Sequence, residues 1–154
     1  MDRKKAIILP YKENFSENDS GAASIFVKES LMNENVEEFL IYGSKSNVNK
    51  KYKSSFFFNP IQKKYFRNYH YIKYFVKKFS NFNFETIEIH NRPEYIKEIK
   101  NNFPVSKIIF YFHNDPNFLR GSKSDKDKQY INENCQIVFL SKWIQRKFEK
   151  KNLI

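Results

Sequence analysis

A single cysteine, Cys135, in 154 residues excludes an intrachain disulfide, and one thiol cannot build a zinc site by itself. Three glycines and five prolines are too few for a collagen-like or linker-like chain, and a 40% hydrophobic content indicates a globular one. The longest apolar runs, such as Ile137–Leu140, fall far short of a bilayer's thickness. Arg3, Lys4 and Lys5 precede Ala6–Pro10 in the manner of a leader. That apolar stretch is too short for one, and no small-residue cleavage site follows, so the expected location is the cytoplasm. The length suits one core and not two, so residues 1–154 are expected to form a single domain.

Acidic residues are missing from one stretch. Lys45–Phe84 holds ten Lys or Arg and no Asp or Glu, which accounts for nearly all of the net charge of +11. Such a segment suits an acidic partner: a nucleic acid, a phosphorylated substrate or an anionic membrane. Abundant Lys, Asn, Ile, Phe and Tyr also fit AT-rich codons, a cause with no functional content.

What is present is an alternation of short apolar runs with helical periods. Ala6–Leu9, Phe39–Tyr42, Thr86–Ile89, Lys107–Phe112 and Gln136–Leu140 read as strands, continuous rather than alternating, as burial on both faces requires. A helix is expected over Ala22–Asn33, capped by Ser20. Another is expected over Tyr65–Phe79, with apolar positions 65, 66, 69, 72, 75, 76 and 79 and a basic opposite face. A third should begin at Pro93, and a fourth should run from Ser141 to Lys151. Gly121–Asn134 reads as a loop with a short helix. Phe56–Phe58 fits either a strand or an aromatic plug. The pattern predicts an α/β fold, a Rossmann-like parallel sheet with helices on both faces.

Ligands of open α/β sheets bind at the carboxyl ends of the strands. Those ends carry Ser20 and Gly21, then His90, Asn91 and Arg92, then His113, Asn114 and Asp115. His113 suits orientation or deprotonation of a hydroxyl, although a strand-end histidine often only bonds its own loop. Gly21 suits close approach of a phosphate to a helix N-terminus, or a plain turn. No Gly-x-Gly-x-x-Gly, P-loop, His-Glu-x-x-His or Gly-x-Ser-x-Gly motif occurs. Asp125 and Asp127 read as solvated loop charge, not a metal site. The aromatics between Tyr65 and Phe79 read as a core face before a surface for stacking bases.

Four segments occur in a familiar order: Ser20-Gly21-Ala22-Ala23-Ser24; Ile87 through Tyr95 (IEIHNRPEY); Phe110 through Pro116 (FYFHNDP); and Val138 through Ile144 (VFLSKWI). Together they resemble the N-terminal domain of family 4 glycosyltransferases, particularly those building lipopolysaccharide or other surface glycans. The resemblance implies a retaining GT-B enzyme that transfers a sugar from a nucleotide-sugar donor to a glycan or glycolipid acceptor, with no cofactor and no bound metal. By position, Gly21 matches the second glycine of a Gly-Gly loop near the donor phosphates. His113 matches a histidine near the reacting sugar, and His90, Asn91, Arg92 and Asn114 match cleft positions. Ser20 replaces the first glycine of the pair. The family continues into a C-terminal nucleotide-sugar domain, so the resemblance implies that this chain is the acceptor-side domain alone and inactive by itself. It also implies contact with the inner face of an anionic membrane through Lys63, Lys64, Lys77 and Lys78, and no nucleic acid. A small basic nucleic-acid-binding domain using Lys45–Phe84 is the rival expectation.

Overall fold

The computed structural model describes residues 3–44 and 48–150; Lys45, at the head of the basic stretch, and Lys151 lie outside them. Six strands form one all-parallel sheet: β1 (Lys5–Ile8), β2 (Phe39–Gly43), β3 (Phe56–Phe58), β4 (Thr86–His90), β5 (Lys107–Phe112) and β6 (Gln136–Phe139). Their spatial order is β3-β2-β1-β4-β5-β6, that of a doubly wound Rossmann sheet, and its direction of progression reverses between β1 and β4. The helices are α1 (Ala22–Ser30), α2 (Arg67–Lys78), α3 (Ile96–Asn102), α4 (Asp125–Asn134) and α5 (Lys142–Glu149). The fold is Rossmann-like α/β.

Right-handed crossovers decide which face each helix covers. α1 connects β1 to β2 and packs Val27, with Leu31 beyond its end, against Ile7, Leu9, Phe39 and Ile41. The remaining helices build the larger cluster on the opposite face. Ile72, Phe75 and Val76 of α2, Ile96 and Ile99 of α3, Ile131 of α4 and Ile144 and Phe148 of α5 meet Ala6, Ile8, Leu40, Ile87, Ile89, Phe110 and Phe112. Among the described residues of the β2–β3 crossover there is one 3-10 turn, Lys50–Tyr52, and Phe56–Phe58 resolves as the edge strand β3.

Several local expectations are corrected. Gly21, not Ser20, is the N-cap of α1, because the Ser20 hydroxyl is already committed to the Ser16 carbonyl at 2.5 Å and to the Lys28 ammonium at 2.6 Å. α4 is a ten-residue helix where a polar loop with a short helix is expected. A reciprocal capping box of Ser124 and Asp127 opens it, so Asp125 and Asp127 sit in a first helical turn, where acidic residues favour the dipole. In α2, positions 72, 75, 76 and 79 are buried as the period predicts. Tyr65, Phe66 and Tyr69 are instead 67%, 78% and 56% exposed; the helix starts at Arg67, so Tyr65 precedes it and Phe66, left-handed at φ 52°, is its N-cap. Among the described residues no helix is long and apolar enough to cross a membrane.

Candidate functional site

The reversal in strand order places the ends of β1 and β4 side by side, with β5 next to β4. Register then decides which side chains meet. His90 pairs with Tyr111 across β4 and β5, and His113 lies two residues beyond Tyr111, on the same side of the chain. The two imidazoles face each other, His90 Nδ1 to His113 Nε2 at 3.0 Å. His90 is fully buried and stacks on Tyr111, with ring centroids 4.6 Å apart and planes within 5°. Phe26 of α1 covers the group, edge-on to His113 at 5.5 Å.

Burial, and second the neighbouring His90, lower the His113 pKa to about 4. His113 is therefore uncharged at neutral pH, fitted to exchange hydrogen bonds and poorly fitted to store a proton. The structure also contributes a residue that strand-end reasoning overlooks. Glu88, two residues before His90 on β4, holds a carboxylate oxygen 3.6 Å from His90 Nε2. Its signal in the sequence is a charge between two isoleucines, Ile87 and Ile89, inside a strand.

Asn91 is buried rather than open to a ligand. Its backbone is left-handed at φ 56°, a region asparagine tolerates better than most residues. Its N–H donates to the Tyr111 carbonyl at 2.9 Å, and its side-chain oxygen accepts from the Asn114 N–H at 3.3 Å. Asn91 thus ties the end of β4 to the loop after β5. The side chain of Asn114 itself is exposed. Arg92 donates to the Asn91 carbonyl at 2.9 Å. Asp115 caps a 3-10 turn, Pro116–Phe118, by accepting from Asn117 N–H at 3.0 Å.

Gly21 meets a negative charge from within the chain. The Glu13 carboxylate accepts from the Ser24 N–H at 3.0 Å, and a Cβ added to Gly21 would come 2.1 Å from its Oε1. The N-terminus of α1 is thus occupied by Glu13, the position that the resemblance implies for donor phosphates. Ser24 Oγ, fully buried in the same turn, has no hydrogen-bond partner.

Two grooves open at the strand carboxyl ends and meet at Arg67. One, about 440 Å³, is lined by Tyr11, Lys12 and Ser44 after β1 and β2, Asn59 after β3, and Lys63. The other, about 700 Å³, lies between the starts of α2 and α3 and presents Lys64, Phe66, Tyr69, Glu94, Lys97 and Arg120. Burial raises the Glu94 pKa, with Arg92 and Arg120 acting the other way. Gly121 takes φ 89°, and a side chain there would strike the Glu94 backbone at 2.8 Å. The floor between the grooves and the sheet is made of tyrosines. The Tyr71 hydroxyl donates to the Leu9 carbonyl at 2.8 Å, Tyr42 donates to the Tyr71 carbonyl at 2.8 Å, and Tyr95 donates to Asn68 at 2.6 Å. Neither groove is lined by His113, so the histidine pair and the basic segment belong to separate cavities or surfaces.

Among the described residues no group of three or more His, Cys, Asp or Glu is placed to hold a metal ion. Burial pushes the Cys135 thiol up to about 12, which suppresses the reactive thiolate. Comparison of the chain with protein families, curated proteins and solved structures finds no match.

Proposed function

We propose that this Rossmann-like domain is the acceptor-side half of a GT-B glycosyltransferase, serving transfer of a sugar from a nucleotide-sugar to a glycan or glycolipid acceptor. The observation that carries the reading is the placement of His113. It lies at a strand's carboxyl end beside the reversal in strand order, and a buried second imidazole holds it at 3.0 Å. Its lowered pKa keeps it neutral where such an enzyme works, as orientation of a sugar hydroxyl needs. Asn91 supports the loop behind it. With Glu13 on the α1 N-terminus, this reading requires donor phosphates either to displace that carboxylate or to bind elsewhere.

The surface around α2 fits an amphiphilic acceptor. Tyr65 and Phe66 are flanked by exposed Lys63, Lys64 and Arg67. Lys77 and Lys78 are also exposed, at the far end of the helix, roughly 16 Å away for its length. Anionic vesicles should bind the chain, with about 1 kcal/mol from each cation that reaches the surface. The same exposed aromatics support a second reading, stacking on single-stranded nucleic acid. Steeply salt-dependent binding to random oligonucleotides, without vesicle binding, favours that one.

The decisive experiment is an NMR titration of the imidazole signals with a panel of nucleotide-sugars and glycolipid acceptors, read beside labelled-sugar transfer. Acceptors are expected to shift His113. A His113 signal indifferent to every sugar in the panel sinks the glycosyl-transfer reading.

A further inference from the structure

Glu88, His90 and His113 lie in a row on the α1 side of β4 and β5. We propose that Glu88 and His90 are positioning residues that fix the tautomer of His113, so that its Nδ1 is an unprotonated acceptor for a hydroxyl-bearing ligand. The proposal rests on the reading of His113 as the substrate-facing group, and it adds which ring nitrogen faces the substrate and what sets that choice.

The row begins at a charged end, Glu88. His90 Nε2 is sealed from solvent and has no hydrogen-bond partner. Its nearest charge is the Glu88 carboxylate at 3.6 Å, too long for a hydrogen bond but close enough for strong electrostatics in a buried place. A lone pair on Nε2 would face that carboxylate and be repelled, whereas an N–H would be attracted. The proton of an uncharged His90 therefore belongs on Nε2, which leaves Nδ1 as an acceptor. Across the 3.0 Å contact the donor must then be His113 Nε2–H, since two facing lone pairs would repel. An uncharged imidazole carries one N–H, so His113 Nδ1 has none. Stacking on Tyr111 and the edge of Phe26 restrain both rings from flipping to escape this assignment. His113 Nδ1 has no hydrogen-bond partner among the described residues, and unlike His90 Nε2 it is not a sealed atom. It is the acceptor left over for a ligand.

The alternative chain of protons runs the other way. His90 would carry its proton on Nδ1 and donate to His113, and His113 would offer Nδ1–H, a donor, to the ligand. Glu88 opposes it.

Long-range proton–nitrogen NMR at pH 7 distinguishes the two without any ligand, on the chain as it stands. Both His90 and His113 are expected to carry their proton on Nε2. Glu88→Leu removes the bias, so a large part of the His113 population is expected to move its proton to Nδ1. Glu88→Gln, which keeps the side chain's shape and removes its charge, is expected to move the population in the same direction as Glu88→Leu. A wild-type spectrum with His113 protonated on Nδ1 overturns the proposal, and so does a Glu88→Leu spectrum identical to wild type. Should Glu88→Leu fold poorly, the wild-type spectrum still decides. Because no sugar is present, these outcomes are separate from the titration above: the tautomer can hold while the glycosyl-transfer reading fails.

Discussion

Four helices close one face of the sheet over a layer of Phe, Ile and Tyr. On the other face α1 covers β1 and β2, and the ring of Phe26 packs on His90 of β4, Tyr111 of β5 and His113 just beyond β5, with Glu88 next to His90. Among the described residues, both buried side-chain atoms without a partner, Ser24 Oγ and His90 Nε2, belong to this second side. Unpaired buried polar atoms are rare because each forfeits solvation without return. Their concentration beside the strand ends divides the faces: one is packed throughout, and the other leaves buried polar atoms unpaired next to the histidine pair.

The largest expected effects test that division directly. Phe75 is fully buried and packs its ring on Tyr42, Phe79, Phe84 and Phe103. Phe75→Ala should lower unfolding free energy by about 3–5 kcal/mol. Phe26→Ala, on the part-covered face, should lower it by less than about 2 kcal/mol. Equal losses in urea unfolding would erase the asymmetry. In an enzyme containing this domain, His113→Ala should reduce kcat by roughly 10²-fold through lost orientation, with a stability loss near 1 kcal/mol. A variant that melts early while its folded fraction turns over normally would place His113 among loop-bracing residues.

The packed face was the legible one. Lys107–Phe112 is uninterrupted apolar sequence apart from its first residue, and it is a strand with those bounds. Alternation of such runs with helical periods sufficed for a parallel sheet, whereas the strand order depends on long-range pairing that no local pattern encodes. α4 is hard to read from the sequence because so little of it is apolar; only Lys128 and Ile131 of its residues are buried. The usable signal was Ser124 three residues before Asp127. At the site, the rule about strand ends marked His90 and His113 but not their contact, which depends on the β4–β5 register. The resemblance implies cleft positions for His90 and Asn91; in the structure both are buried. Glu13, eight residues before Gly21, carries no pattern that announces a cap.

A pH series sharpens the comparison at smaller amplitude. The folded His113 pKa is about 4, against 6.5 for the free side chain. Between those values the unfolded chain binds a proton that the folded chain refuses, so falling pH favours unfolding. The contribution is fully present above about 6.5 and lost as pH falls toward 4. With allowance for solvent screening at a part-exposed ring, it should amount to about 1–2 kcal/mol. The wild-type minus His113→Gln difference should therefore change across that window and be flat above pH 7. A difference that is flat throughout would remove the protected environment from the account.

The smallest effect concerns how the second face is held at its open end. The first N–H groups of a helix have no partner inside it, and Gly21 has no side chain to cap α1. Glu13 supplies the missing acceptor through Ser24 N–H at 3.0 Å, and its charge also suits the positive end of the helix dipole. Glu13→Ala should cost about 1 kcal/mol, and Glu13→Gln, which keeps an acceptor without the charge, about half of that. Gly21→Ala offers an independent route to the same loss, since its Cβ would stand 2.1 Å from Glu13 Oε1 and must drive the carboxylate away. The double variant should then be no less stable than Gly21→Ala alone, because both changes remove one contact. Under the glycosyl-transfer reading, the vacated N–H groups are those that donor phosphates would approach. Inorganic phosphate should accordingly raise the stability of Glu13→Ala more than that of the wild type, by mass action on the folded state. Strictly additive losses in the double variant would show that Glu13 does not cap α1. Equal stabilisation by phosphate of both proteins would place the anion elsewhere and take Gly21 out of the donor site.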